Sequence, residues 1–148
     1  MNAERARTFL LGLPNVVETA QWGGLVFWVG DKAIGGKMFA MMNPEGVVPM
    51  QHPMTVPVGA ERFAELMEVE GFVPAPYLAR LKWVSAERWD AFRDREWEEA
   101  FVAAHAITFE KMPPKVKTVL AMSKAAQKRL ITERRKVLAE KSKAKAKK

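Results

Sequence analysis

Few side chains in this sequence can carry chemistry, and their types narrow the field before any fold is considered. Among 148 residues there are two histidines, His52 and His105, and no cysteine. Without cysteine there is no disulfide framework, thiolate zinc site, thiol nucleophile or iron–sulfur ligation. His105 falls at helical spacing from Phe101 and Phe109, which assigns it to an interior or boundary position rather than to acid–base work. His52 stands between Pro49 and Pro53 with no carboxylate close by in sequence. Neither imidazole has a triad around it. Glu96, Glu98 and Glu99 read as charges on a solvated helix face, whereas a catalytic pair needs burial to separate its pKa values. Gly35-Gly36-Lys37 lacks the Gly-x4-Gly-Lys-Ser/Thr spacing and leads into a strand, so no helix dipole meets a phosphate there. The expectation is a protein that is not an enzyme and has no metal site or cofactor.

The stronger signal is charge. The formal net charge is +7, but it divides unevenly: residues 1–110 hold ten Lys and Arg against fifteen Asp and Glu, net −5, and residues 111–148 hold fourteen against two, net +12. An acidic body therefore carries a basic tail, with Pro113-Pro114 at the seam because two prolines remove two donors and interrupt a helix. We divide the chain at that point into a body, 1–112, and an extension, 113–148, with a helix over about 115–140 and a disordered end. As a helix, the tail sets Val116, Val119, Leu120, Leu130, Ile131, Val137 and Leu138 in an imperfect apolar stripe beside its cations.

Such an element fits a polyanion, and six phosphate contacts would give a log K against log salt slope of about −5. The expected anchors are Lys115, Lys117, Lys124, Lys128, Arg129, Arg134, Arg135 and Lys136, with Lys32 and Lys37 as secondary contacts. Nucleic acid, DNA foremost, is the expected partner, bound weakly and without sequence preference because lysines on phosphate position without specifying. Docking of the tail on an acidic protein, or on the chain's own acidic body, is the competing reading. A third is a small-molecule pocket floored by Met38, Met41, Tyr77 and Trp83. Pro74, Pro76, Tyr77 and Trp83 form a candidate binding loop, since prolines preset its path and Tyr77 offers an aromatic face. Trp22, beside Gly23-Gly24, is a second candidate stacking surface, although a core position is the ordinary fate of a strand-end tryptophan.

The elements that must position these residues follow from periodicity. Asn2 to Leu11 reads as a helix stopped by Gly12 and Pro14. Leu25–Val29 and Lys37–Met42 read as a hairpin across the Gly30–Gly36 turn. Val47 to Val58 looks extended but, with Pro49, Pro53 and Pro57, is expected to be an edge or an irregular strand. Ala60 to Glu70 is an amphipathic helix ended by Gly71, with Phe63, Leu66 and Met67 inward. Leu81–Val84 is a further strand, and Ser85 an N-cap for a helical region carrying Trp89, Phe92, Trp97, Phe101, His105 and Phe109. This order predicts an α+β fold, an antiparallel sheet with helices packed on one face, plus a basic helical and disordered tail. No apolar run approaches the ~20 residues of a membrane span, and the N-terminus lacks an export signal, so the cytoplasm is the expected compartment. Oligomeric state is left open.

Gly71, Pro74-Ala75-Pro76-Tyr77-Leu78 and Trp83-Val84, after the hairpin Val26-Phe27-Trp28-Val29 and Gly36-Lys37-Met38-Phe39-Ala40, resemble the MmcQ/YjbR family over roughly Thr8 to Val116. The resemblance implies a CyaY-like fold whose hairpins form a double wing, and a DNA-binding role. The sequence departs from that family at His105, where relatives tend to have tyrosine, and in the length of the basic extension.

Overall fold

The computed structural model describes residues 1–44 and 52–146. Six strands make one antiparallel sheet in the order β1-β2-β3-β4-β6-β5: β1 Val16–Gln21, β2 Gly24–Val29, β3 Lys37–Met42, β4 Met54–Pro57, β5 Phe72–Pro74 and β6 Trp83–Ala86. The helices are α1 Ala3–Leu11, α2 Ala60–Leu66, α3 Asp94–Glu110, α4 Pro114–Leu120 and α5 Lys124–Ala146. The α+β class and the antiparallel sheet are as the sequence predicts.

Pairing register assigns the faces. Phe27 and Val29 of β2, Met54 and Val56 of β4, and Val84 and Ala86 of β6 share one side and join Trp97, Phe101 and Ala104 of α3 in the core. Trp97 anchors it, stacking on Phe101 at 5.6 Å and donating its indole N–H to the Trp89 carbonyl at 2.7 Å. The opposite side carries Thr55 and Ser85, buried and hydrogen-bonded to each other at 2.7 Å.

Val16–Gln21, to which the sequence pattern assigns no element, is a strand, closed on β2 by the two-residue Trp22-Gly23 turn, whose positive φ values of 52° and 79° match the right-handed twist of the hairpin. Several expectations are corrected. The part of Val47–Val58 within residues 45–51 lies outside the described residues. The rest, β4, is an interior strand between β3 and β6 rather than an edge. Pro53 precedes it, and Pro57 is its last residue. Val58 N–H donates to the Lys82 carbonyl, so alternation turns Pro57's missing donor toward β3, whose pairing already stops at Thr55. Ser85 is a strand residue, not an N-cap; α3 begins only at Asp94, after a single 3-10 turn at Trp89–Ala91. The tail is two helices, with Pro114 at the first helical position of α4. The second continues past 140 to Ala146.

Candidate nucleic-acid interface

The antiparallel register gives the sheet two ends. At the first lie the β1–β2 turn and the residues flanking Phe72 and Ala86, bringing Glu70, Glu87 and Asp90 together around Arg88, which pairs with Glu70 at 3.7 Å and Asp90 at 2.6 Å, with Asp94 at the start of α3. At the second lie the β2–β3 turn, the loop between β5 and β6, and the end of α3. Lys32, Lys37, Arg80 and Lys82 are exposed there.

The basic extension is packed across this second end. In the β2–β3 turn, Asp31 caps a short 3-10 turn, Lys32–Ile34, by accepting from Ala33 N–H at 2.8 Å. A side chain on Gly36 would meet the Gly30 carbonyl at 1.9 Å, so only glycine lets the two arms of the turn approach this closely. Onto this turn α4 lays Val116 against Gly35 and Leu120 against Gly30. Leu120 is 5% exposed and belongs to the same core as Phe27 and Phe101. Gln127 of α5 clips the junction, reaching the Asn15 side chain at 3.3 Å and the Met122 carbonyl at 2.9 Å. Leu130 and Ile131 pack on the core from α5, and Arg135 donates to Asp31 at 2.5 Å.

The ten expected anchors therefore divide. Arg135 is held by Asp31, and Lys117 donates to the Glu110 carbonyl at 3.0 Å while lying over Phe109, so both serve first to attach the tail. Lys32 lies 6.0 Å from the Trp28 ring centre. Arg134 and Lys115 flank a cavity of about 190 Å³ with Val116, Val119 and Leu130. Lys128, Arg129 and Lys136 fall on the side of α5 away from Gln127, Leu130 and Ile131, and with Lys124 and Lys37 they are exposed and make no ion pair among the described residues. Beyond Arg135 every described residue of α5 is exposed, including Val137 and Leu138. Arg80 and Lys82 join this end unforeseen, because the net acidity of residues 1–110 hides where the body's few cations cluster.

The candidate loop also divides. Trp83 is a buried residue of β6 and unavailable to a ligand, whereas Pro74 and Pro76 are exposed and Tyr77 is fully so. With Tyr77 in solvent, the pocket expected over Met38, Met41, Tyr77 and Trp83 is not formed. Of the remaining aromatics, Trp22 is 55% exposed at the first end of the sheet, and Trp28 donates to Thr19 Oγ1 at 2.8 Å. His105 lies within 2.7 Å of the Pro14 carbonyl, a hydrogen bond in which the ring N–H donates, and its edge meets Phe39, so its role is structural. No group of three or more metal-ligating side chains comes together among the described residues. No helix among them is long and apolar enough to cross a membrane.

The molecule is thus an α+β protein built on one antiparallel sheet, with a helical extension fastened to one end. A sequence model of the YjbR family matches residues 11–107, and the chain belongs to that family. The crystal structure of the Deinococcus radiodurans protein DR2400, a DUF419 domain, is similar to it at 21% identity over 87% of each chain, with a TM-score of 0.64. At that identity the likeness shows a shared fold. No curated protein matches the chain.

Proposed function

We propose that this YjbR-family chain is a cytoplasmic, non-enzymatic protein that binds nucleic acid, DNA foremost, through the phosphate backbone and with little sequence preference. The observation that carries the reading is convergence: α4 and α5 dock on the β2–β3 turn, so that tail cations and Lys32 and Lys37 occupy one end of the molecule. Lysines and arginines that face solvent without base-edge partners neutralise phosphate and position a protein, which gives salt-sensitive, sequence-tolerant affinity.

The test is fluorescence anisotropy of labelled duplex DNA with the full chain across a salt series. Replacing Lys124, Lys128, Arg129 and Lys136 by glutamine leaves the docking contacts intact, and it is expected to flatten the log K against log salt slope by about 3 to 4, at about 0.9 per lost phosphate contact. Salt-insensitive binding, or none, overturns the reading. A second reading, an acidic protein partner, is favoured by exposed Val137 and Leu138 on the cationic arm, 45% and 55% exposed, which would suit an apolar groove with an acidic rim.

A further inference from the structure

Phosphate contacts leave one feature of the cationic end without a purpose. Leu78 N–H donates to the Ala75 carbonyl at 3.1 Å, closing a turn in which Pro76 is the second residue and Tyr77 the third. Tyr77 has φ of 65°. Proline followed by positive φ defines a type II turn, whose third position favours glycine or asparagine. Here a tyrosine occupies it, and its ring stands wholly in solvent. The fold gains nothing from that ring.

The mount beneath it is rigid. Ala75 is 1% exposed and donates to the Trp83 carbonyl at 3.1 Å, Trp83 N–H returns to the Leu78 carbonyl at 3.3 Å, and Pro76 fixes its own φ. Arg80, exposed and without an ion pair among the described residues, and Leu81, 58% exposed, follow within one turn. Trp22 provides the contrast. It too is an exposed aromatic at positive φ, but its two-residue hairpin demands that backbone, and it stands at the end of the sheet that carries Glu70, Glu87 and Asp90. Tyr77 stands at the end that carries Lys37, Arg80 and the tail.

We propose that Tyr77 is a stacking platform for an unpaired base, with Arg80 on an adjoining phosphate, so that the preferred ligand is single-stranded or locally unpaired nucleic acid. Three strand spacings, roughly 14 Å, separate this loop from the β2–β3 turn. A strand of a few nucleotides spans that distance, from base contact to the cations of the turn and tail. A duplex keeps its bases stacked inside and offers the ring nothing. The assignment rests on the nucleic-acid reading above and adds what that reading lacks, a contact to bases.

The test compares the full chain with Tyr77→Ala, Tyr77→Phe and Tyr77→Gly on a labelled single-stranded oligodeoxynucleotide and on its duplex. Tyr77→Ala and Tyr77→Gly are expected to weaken single-strand binding about tenfold while leaving duplex binding unchanged, and Tyr77→Phe, which keeps the π face, to bind as the parent does. Tyr77→Gly serves as the folding control, because glycine adopts this φ freely and its melting temperature is expected to equal or exceed the parent's. Unchanged single-strand affinity in Tyr77→Ala overturns the stacking assignment while the parent's salt-sensitive binding leaves the backbone reading standing. Equal losses on both ligands also overturn it, placing Tyr77 on the backbone. A parent chain that binds neither ligand removes both proposals.

Discussion

Ser85 and Thr55 illustrate how a single polar side chain acquires its role from its neighbours. Each hydroxyl is buried, and each has the other as partner across β4 and β6. Ser85→Ala strands the Thr55 hydroxyl and is expected to cost about 1–3 kcal/mol in chemical denaturation. Adding Thr55→Val to it recovers most of that loss, since replacing both partners leaves no orphaned donor. Asp94 is a different case, set by charge at the surface. Its carboxylate accepts from the Met1 ammonium, and that hydrogen bond holds its pKa below the ordinary carboxylate value, with Arg5 at 2.6 Å adding to the effect. A pKa lowered in the folded state contributes stability that is complete above the unfolded value of about 3.9 and vanishes as pH falls through the folded value. Asp94→Asn is therefore expected to melt below the parent at neutral pH, and the two melting curves are expected to merge once pH lies below both values.

At the scale of elements, the extension has two parts with separate duties. Through Arg135 it is part of the folded body: Leu120→Ala, at the Gly30 contact, is expected to cost about 2–5 kcal/mol as a core truncation would. From Lys136 onward no described residue is buried, so a chain ending at Arg135 is expected to keep its stability within about 0.5 kcal/mol while its salt slope falls. Unequal legibility of the elements has the same origin as this division. The β2–β3 hairpin and the first helix carry their own signals, a Gly-rich turn and an Asn2 cap that accepts from Arg5 N–H at 2.8 Å. Val16–Gln21 carries almost none, because Glu18 and Gln21 interrupt its alternation, and Trp22 conceals a turn usually written with Asn or Gly. Ser85 has the composition of a cap and is recruited by a strand instead, its hydroxyl satisfied across the sheet rather than along the chain.

On the scale of the whole molecule, charge is segregated by the length of the sheet. Lys82 and Glu87 bracket the four-residue β6, so roughly 17 Å separates the two ends there, about twice the Debye length of about 8 Å at physiological ionic strength. The carboxylates Glu70, Glu87 and Asp90, two of them already paired with Arg88, are thus screened from a polyanion held at the other end. Converting those three residues to amides is expected to leave DNA affinity unchanged at physiological salt and to raise it only near 0.01 M, where the screening length reaches about 30 Å. A gain of equal size at both ionic strengths would show that the two ends are not separated in the way the sheet register requires.

Composition alone determined that there is no thiol chemistry and that the cations are concentrated beyond residue 110, because those are counts that no fold alters. Local pattern determined the α+β class and the main helices and hairpin, because their periodicity and turn residues act over a few positions. Tertiary structure decided the rest. It made β4 an interior strand, buried Trp83, put Tyr77 in solvent, and spent Arg135 and Lys117 on holding the tail. It also brought Arg80 and Lys82 to the same end of the sheet as the β2–β3 turn although some fifty residues intervene. Which charges meet depends on strand order and register, and those are settled by burying the two sides of a sheet whose neighbours are distant in the chain.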